Sequence, residues 1–139
     1  MPVRLEHIRT PSAQDWIDLG KIHADTQPLG LKMDSTALGD WLQQPNHWLL
    51  AGRFNDRIVG CLLAQQQGEV VVLSNAAVRT ITQRRGVMHQ LLHHVCDWAQ
   101  HESLALEFHA VPSELEDAVK TRGFLLINNI YRHNNLNKS

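Results

Sequence analysis

The stretch with the clearest chemical potential is Val78-Arg79-Thr80-Ile81-Thr82-Gln83-Arg84-Arg85-Gly86-Val87-Met88, where an apolar run gives way to a glycine-bearing loop and then an amphipathic pattern. A loop of this kind that opens a helix leaves the first backbone N–H groups unpaired, and the helix dipole puts its positive end among them. Phosphate binds at such a place, and Arg84 and Arg85 add charge-assisted donors. The same residues also suit a capped turn with two solvated arginines, so residue chemistry alone leaves both readings open.

Other reactive side chains point to less. Of the nine histidines, His89, His93 and Asp97 recur at i, i+4 and i+8, which is metal-ligand spacing. Their stripe lies opposite Leu91, Leu92, Val95 and Ala99, so a solvated helix face is expected and no metal site is assigned. His94 flanks the core stripe and is expected to be packed or hydrogen-bonded. Cys61 and Cys96 form no CxxC pair and read as reduced, partly buried thiols. Neither Ser74 nor Cys61 sits on a glycine elbow, so no nucleophile is assigned. Trp16, Trp41, Trp48 and Trp98 fall at core positions, with a partner surface as the second reading for Trp41.

These residues need elements to position them. Residues 3–9 predict a short edge strand. Ser12 followed by Asp15 predicts a capping box for a helix carrying Trp16, Leu19, Ile22 and His23. Asp34 or Ser35 can cap a second helix that ends before Pro45. Residues 47–54 and 57–64 read as strands joined by an Asn55-Asp56 turn, since both residues tolerate φ > 0. Gln65-Gln66-Gln67-Gly68 reads as the next turn, and 70–78 as a central strand buried on both faces. Residues 84–102 carry the strongest helical period, 104–110 reads as a strand, and Pro112-Ser113 opens a last helix that Gly123 closes. Leu125 to Tyr131 is predicted as one final strand, with a frayed tail from about residue 133. The order β-α-α-β-β-β-α-β-α-β predicts one α+β domain over 1–139, a mostly antiparallel sheet flanked by helices.

Composition agrees with a single globular unit. The chain has 139 residues, 43% hydrophobic and 19% charged, enough to bury about 70% of its unfolded surface. Thirteen Lys and Arg against fourteen Asp and Glu give a formal charge of −1. That is no field for a phosphate backbone, so a nucleic-acid partner is not expected. No apolar run reaches membrane-spanning length and the N-terminus lacks a signal-peptide pattern, so a cytoplasmic protein is expected.

The 78–88 segment resembles the acetyl-CoA pyrophosphate loop of the GNAT acyltransferases, Gln/Arg-x-x-Gly-x-Gly/Ala after a strand, with Gln83, Gly86 and Met88 at the pattern positions. Arg122-Gly123-Phe124 is similar to that family's Gly-Phe. The resemblance implies a GNAT fold that binds acetyl-CoA or CoA. Gln83, Arg84, Arg85, Gly86, Val87 and Met88 would lie around the pyrophosphate, and Val78 would meet the pantetheine arm. The sequence departs from the pattern at Met88, where a small residue is usual, and at Val119, where many GNAT enzymes carry a general-acid Tyr. No catalytic residue is therefore assigned.

Three blocks are similar more narrowly to the PanZ (PanM) family, namely residues 14–22, residues 51–57 (Ala-Gly-Arg-Phe-Asn-Asp-Arg) and residues 82–87. This implies a CoA-dependent activator and regulator of aspartate 1-decarboxylase maturation in pantothenate biosynthesis. Arg53, Asn55, Arg57 and Arg79 are the candidate contacts with that zymogen. The competing reading is an N-acetyltransferase acting on a small amine or peptide.

Overall fold

The computed structural model describes residues 2–25, 35–79, 86–109, 111 and 115–133. Its elements are β1 (Arg4–Ile8), α1 (Ala13–Asp25), α2 (Ser35–Gln43), β2 (His47–Phe54), β3 (Arg57–Gln67), β4 (Val70–Val78), α3 (Val87–His101), β5 (Ala105–Phe108), α4 (Glu116–Thr121), β6 (Leu125–Ile127) and β7 (Ile130–His133). They form the expected α+β arrangement around a seven-stranded sheet of order β1-β2-β3-β4-β5-β7-β6. Every neighbouring pair is antiparallel except β4 and β5.

Local chemistry explains most boundaries. The Ser12 hydroxyl accepts from the Asp15 N–H at 3.1 Å while the Ser12 N–H donates back to the Asp15 carboxylate at 3.1 Å, a reciprocal capping box that starts α1. Asn55 and Asp56 take φ of 51° and 63° in the β2–β3 turn, as a two-residue hairpin requires. Gly123 ends α4 at φ 93°. Its N–H reaches the Lys120 carbonyl and the Phe124 N–H reaches the Val119 carbonyl, closing a Schellman motif.

Three expectations change, two of them at turns. The segment 125–131 is a hairpin rather than one strand: Asn128 and Asn129 adopt φ of 52° and 67° and separate β6 from β7. Two consecutive Asn in the left-handed region form a tight turn; the apolar residues on both sides make the pair easy to read as strand interior. The predicted Gln65–Gly68 turn is also shorter, because β3 runs to Gln67 and pairs it with Val70.

The sheet divides two cores. Val71, Leu73, Leu106 and Phe108 pack with Leu91, Leu92 and Val95 of α3 and Val119 of α4 on one side. Leu49, Cys61, Leu63 and Ala77 pack with Leu19, Ile22, Leu38 and Leu42 on the other. Cutting a fully buried leucine such as Leu91 to alanine in a core of this kind costs about 2–5 kcal/mol. The first core seats α3 rigidly against β4, and that junction shapes the candidate site. Val70 and Val72 on β4 are only half-buried, so the central strand is fully covered on one face and partly on the other.

Candidate functional site

Pairing between β4 and β5 runs from Val70–Ala105 to Leu73–Phe108, and the His109 N–H adds a last rung to the Leu73 carbonyl at 2.9 Å. Among the described residues β4 then runs on to Val78, beyond its pairing with β5. On its other side the β3–β4 register shifts between Cys61 and Leu63, and Asn75 takes φ 53°. The result is a bulge that bends β4 where the two strands part.

At the far end of β4 stands α3. Its N-cap is Gly86, in the left-handed region at φ 70° and ψ 25°, and among the described residues no side chain caps the helix. A side chain is disfavoured in that conformation, and the helix dipole puts its positive end there. Val78, Val87 and Met88 are all buried in the core beneath α3. Met88, the bulky departure from the loop pattern, thus directs its side chain into the protein. Gln83, Arg84 and Arg85 lie outside the described residues.

Arg53, Arg57 and Arg79, the candidate partner contacts, come together at the same end of the sheet, each held by a carboxylate of α1. Arg53 makes a bidentate pair with Asp15 at 2.9 and 3.0 Å and a further bond to Glu6. Arg57 grips Asp18, its Nη2 lying 2.6 Å from Oδ1. The Asp18 carboxylate also accepts from the Ile58 N–H and from Gln14. Arg79 donates to Asp25 at 2.7 Å. Asp15, Asp18 and Asp25 lie on one stripe of α1, so three strand ends are clamped to a single helix.

Charge explains the clamps. Hydrogen bonds from Arg53 hold the Asp15 carboxyl below its ordinary range against the opposing effect of burial. For Asp18, burial would raise the value, and the bonds from Arg57, the Ile58 N–H and Gln14 outweigh it. The side chain of Arg53 is only 11% exposed while that of Arg57 is 47% exposed. Arg57, with Asn55 in the turn, therefore keeps an outward surface that Arg53 lacks. The two aspartates escape a search for reactive motifs; their only sequence signal is the i, i+3 spacing of acids on a helix preceding an Arg-x-x-x-Arg hairpin.

A second network lies where β4 and β5 part. Glu107 accepts from Arg132 of β7 at 2.9 Å and lies 3.2 Å from His109 Nε2. Register places Val72, Glu107 and Arg132 in one row across three strands. That row depends on a hairpin the sequence reading did not resolve, so these residues had no signal beyond polar alternation in two short strands.

The remaining sequence candidates are placed more simply. His94 Nε2 bonds the Val3 carbonyl at 2.9 Å, as a packed or hydrogen-bonded histidine should. His93 and Asp97 are exposed, and among the described residues no group of three His, Cys, Asp or Glu could hold a metal ion. Val119, at the general-acid position, is fully buried, and Tyr131 is buried in the same core. Among the described residues no helix is long and apolar enough to cross a membrane.

Comparison with known proteins accords with this geometry. The family described as "Acetyltransferase (GNAT) domain, PanZ" matches residues 2–133. Two curated relatives, each named PanD regulatory factor, share 39% identity (Salmonella typhimurium) and 36% (Escherichia coli) over 93 residues. The match covers 67% of this chain and 63% of each relative, so it spans less than two thirds of their length. The E. coli protein YhhK, solved in solution bound to coenzyme A, superposes with a TM-score of 0.67 at 26% identity, covering 95% of this chain and 98% of that one. The ribosomal-protein-S18-alanine N-acetyltransferase of E. coli shares the fold alone, with a TM-score of 0.70 at 17% identity and coverage of 90% and 79%. With a central strand that outruns its single parallel partner, a helix headed by the left-handed Gly86 and a family match along nearly the whole described chain, this protein belongs to the PanZ family of GNAT domains.

Proposed function

We propose that this protein binds CoA or acetyl-CoA along the end of β4 and, in that state, regulates the maturation of aspartate 1-decarboxylase. The observation that carries the ligand is the end of β4, residues 74–78, together with Gly86 at the head of α3. An extended strand end and the positive end of a helix headed by Gly86 suit an extended arm that ends in a pyrophosphate. Gln83, Arg84 and Arg85 would add donors there. The names of the curated relatives support the regulatory role, and the coenzyme A bound to YhhK supports the ligand. The exposed side of the Arg57 hairpin, together with Asn55 and Arg79, is the surface we assign to the decarboxylase, while Arg53 positions that hairpin.

Co-expression with the host's pro-decarboxylase, followed by mass spectrometry of the zymogen, tests the role. Faster self-cleavage is expected, and an unchanged cleavage rate together with no co-purification would reject it. Thermal unfolding with CoA tests the ligand: at 100 times the dissociation constant, stabilisation of about 2.7 kcal/mol is expected.

A further inference from the structure

Three consecutive large apolar residues of β6 meet solvent: Leu125 is 66% exposed, Leu126 56% and Ile127 50%. Among the described residues β6 stands last in the sheet, with β7 on one side and no strand on the other. Natural proteins commonly blunt such an edge with Lys, Pro or a bulge. Residues 125–127 carry none of these and pair with β7 in regular register.

The bonds of β5 decide which backbone groups of β6 face outward, because hydrogen-bonding direction alternates from residue to residue along a strand. The Ala105 N–H donates to the Glu69 carbonyl and the His109 N–H to the Leu73 carbonyl. Odd-numbered residues of β5 thus turn toward β4, and Leu106 and Phe108 turn toward β7. Tyr131, opposite Phe108, therefore faces β5, while Ile130 and Arg132 face β6. Their partners Ile127 and Leu125 face back, which leaves the N–H and C=O of Leu126 directed outward. The positive φ of both Asn128 and Asn129 agrees, since a two-residue loop of that kind closes on a hydrogen-bonded pair, here Ile127 and Ile130. The N–H of Phe124 is already taken by the Val119 carbonyl.

One donor and one acceptor on a single residue make a site that is complementary to itself. About a two-fold axis, the Leu126 N–H of one copy meets the Leu126 C=O of another and the reverse, the two-bond exchange of an antiparallel pair. In that register Leu125 of one copy lies opposite Ile127 of the other on one face, and the two copies of Leu126 meet on the opposite face. Like charges facing each other across the axis would oppose this pairing. Residues 125–127 carry no charge, and Arg132, across from Leu125, is compensated by Glu107 at 2.9 Å.

We infer that β6 is a self-association edge, through which two copies of this chain pair antiparallel about Leu126 and join their sheets. With three residues a side, the contact falls below the roughly 1,200 Å² of stable interfaces, so the dimer forms reversibly as concentration rises.

Analytical ultracentrifugation across a range of concentrations tests the inference. The wild-type mass should climb from one chain toward two. Leu126→Pro removes the outward N–H and spares the bonds to β7, and it should stay at one chain throughout. Leu125→Lys with Ile127→Lys sets lysine opposite lysine and should do the same. Leu125→Lys with Ile127→Glu sets opposite charges in register and should restore the dimer, which separates loss of pairing from loss of the fold. A wild-type protein that stays at one chain at every concentration, or a dimer that survives in the double-lysine variant, would overturn the inference. A monomeric wild type whose double-lysine variant loses co-purification with the pro-decarboxylase would overturn it too, by giving the edge to a strand of that partner.

Discussion

Gly60 of β3 faces Val87 at the start of α3 so closely that a Cβ built on it would lie 3.1 Å from Val87 Cγ1 and 3.6 Å from Val78 Cγ2. The end of β4 and the head of α3 meet over Gly60 because it carries no side chain. In Gly60→Ala the fully buried Val87 side chain must give by a few tenths of an ångström. Overpacking of this kind costs about 1 kcal/mol or more. We expect a lower urea midpoint and weaker CoA binding from this substitution, although residue 60 touches no ligand in the proposed site. Unchanged CoA affinity in calorimetry would show that Val87 can move without disturbing the site.

Asp15 and Asp18 predict how the protein meets acid. Both folded pKa values lie below the unfolded value, so these groups bind fewer protons in the fold than in the unfolded chain. Their stabilisation is complete above the unfolded value of about 3.9 and is lost as pH falls below it through the folded values. Urea midpoints measured from pH 5 to pH 2 should fall steeply, and less so in Asp15→Asn. Asp18→Ala also strands the Ile58 N–H in a buried position, at about 1–3 kcal/mol even at neutral pH.

His7 makes a second, milder pH dependence. It accepts from the Trp48 indole N–H at 3.1 Å, and its ring lies 4.7 Å from that of Trp98. Burial lowers its pKa below the ordinary 6.5, with Glu102 opposing in part. The unfolded chain therefore protonates first as pH falls, and stability declines from 6.5 down to the folded value. His7→Gln should flatten part of that slope between pH 7 and 5 in denaturant titrations; an identical slope in the variant would contradict the assignment.

The two cysteines should be silent in the native state. Burial pushes the Cys61 and Cys96 thiols up to about 12, so the reactive thiolate is scarce at pH 8. A disulfide-exchange reagent should label neither until urea unfolds the protein, after which both should react. Rapid labelling of the native protein would mean that the helix carrying Cys96, or the strand carrying Cys61, opens locally.

Elements with strong local signals were legible in advance. The Ser12–Asp15 capping box, the Asn55-Asp56 turn, the α3 period and the Gly123 cap are decided within a few residues of chain, and each appears as expected. The 125–131 hairpin was missed because Asn128-Asn129 gives a weaker turn signal than Asn-Gly, and the flanking Leu and Ile residues suit one strand as well as two.

Sequence alone thus determined the architecture class, the glycine at the head of α3 and the apolar faces of the helices, because periodicity and special backbone angles are local properties. Tertiary structure decided which charges meet. Asp15 finds Arg53 38 residues away, and Arg132 finds Glu107 25 residues away. Those partnerships depend on sheet order and register, which the chain settles only when both cores close around the sheet. The partnerships also redefine the residues: Arg53 and Arg57, which read as contacts with a partner, clamp strand ends to α1.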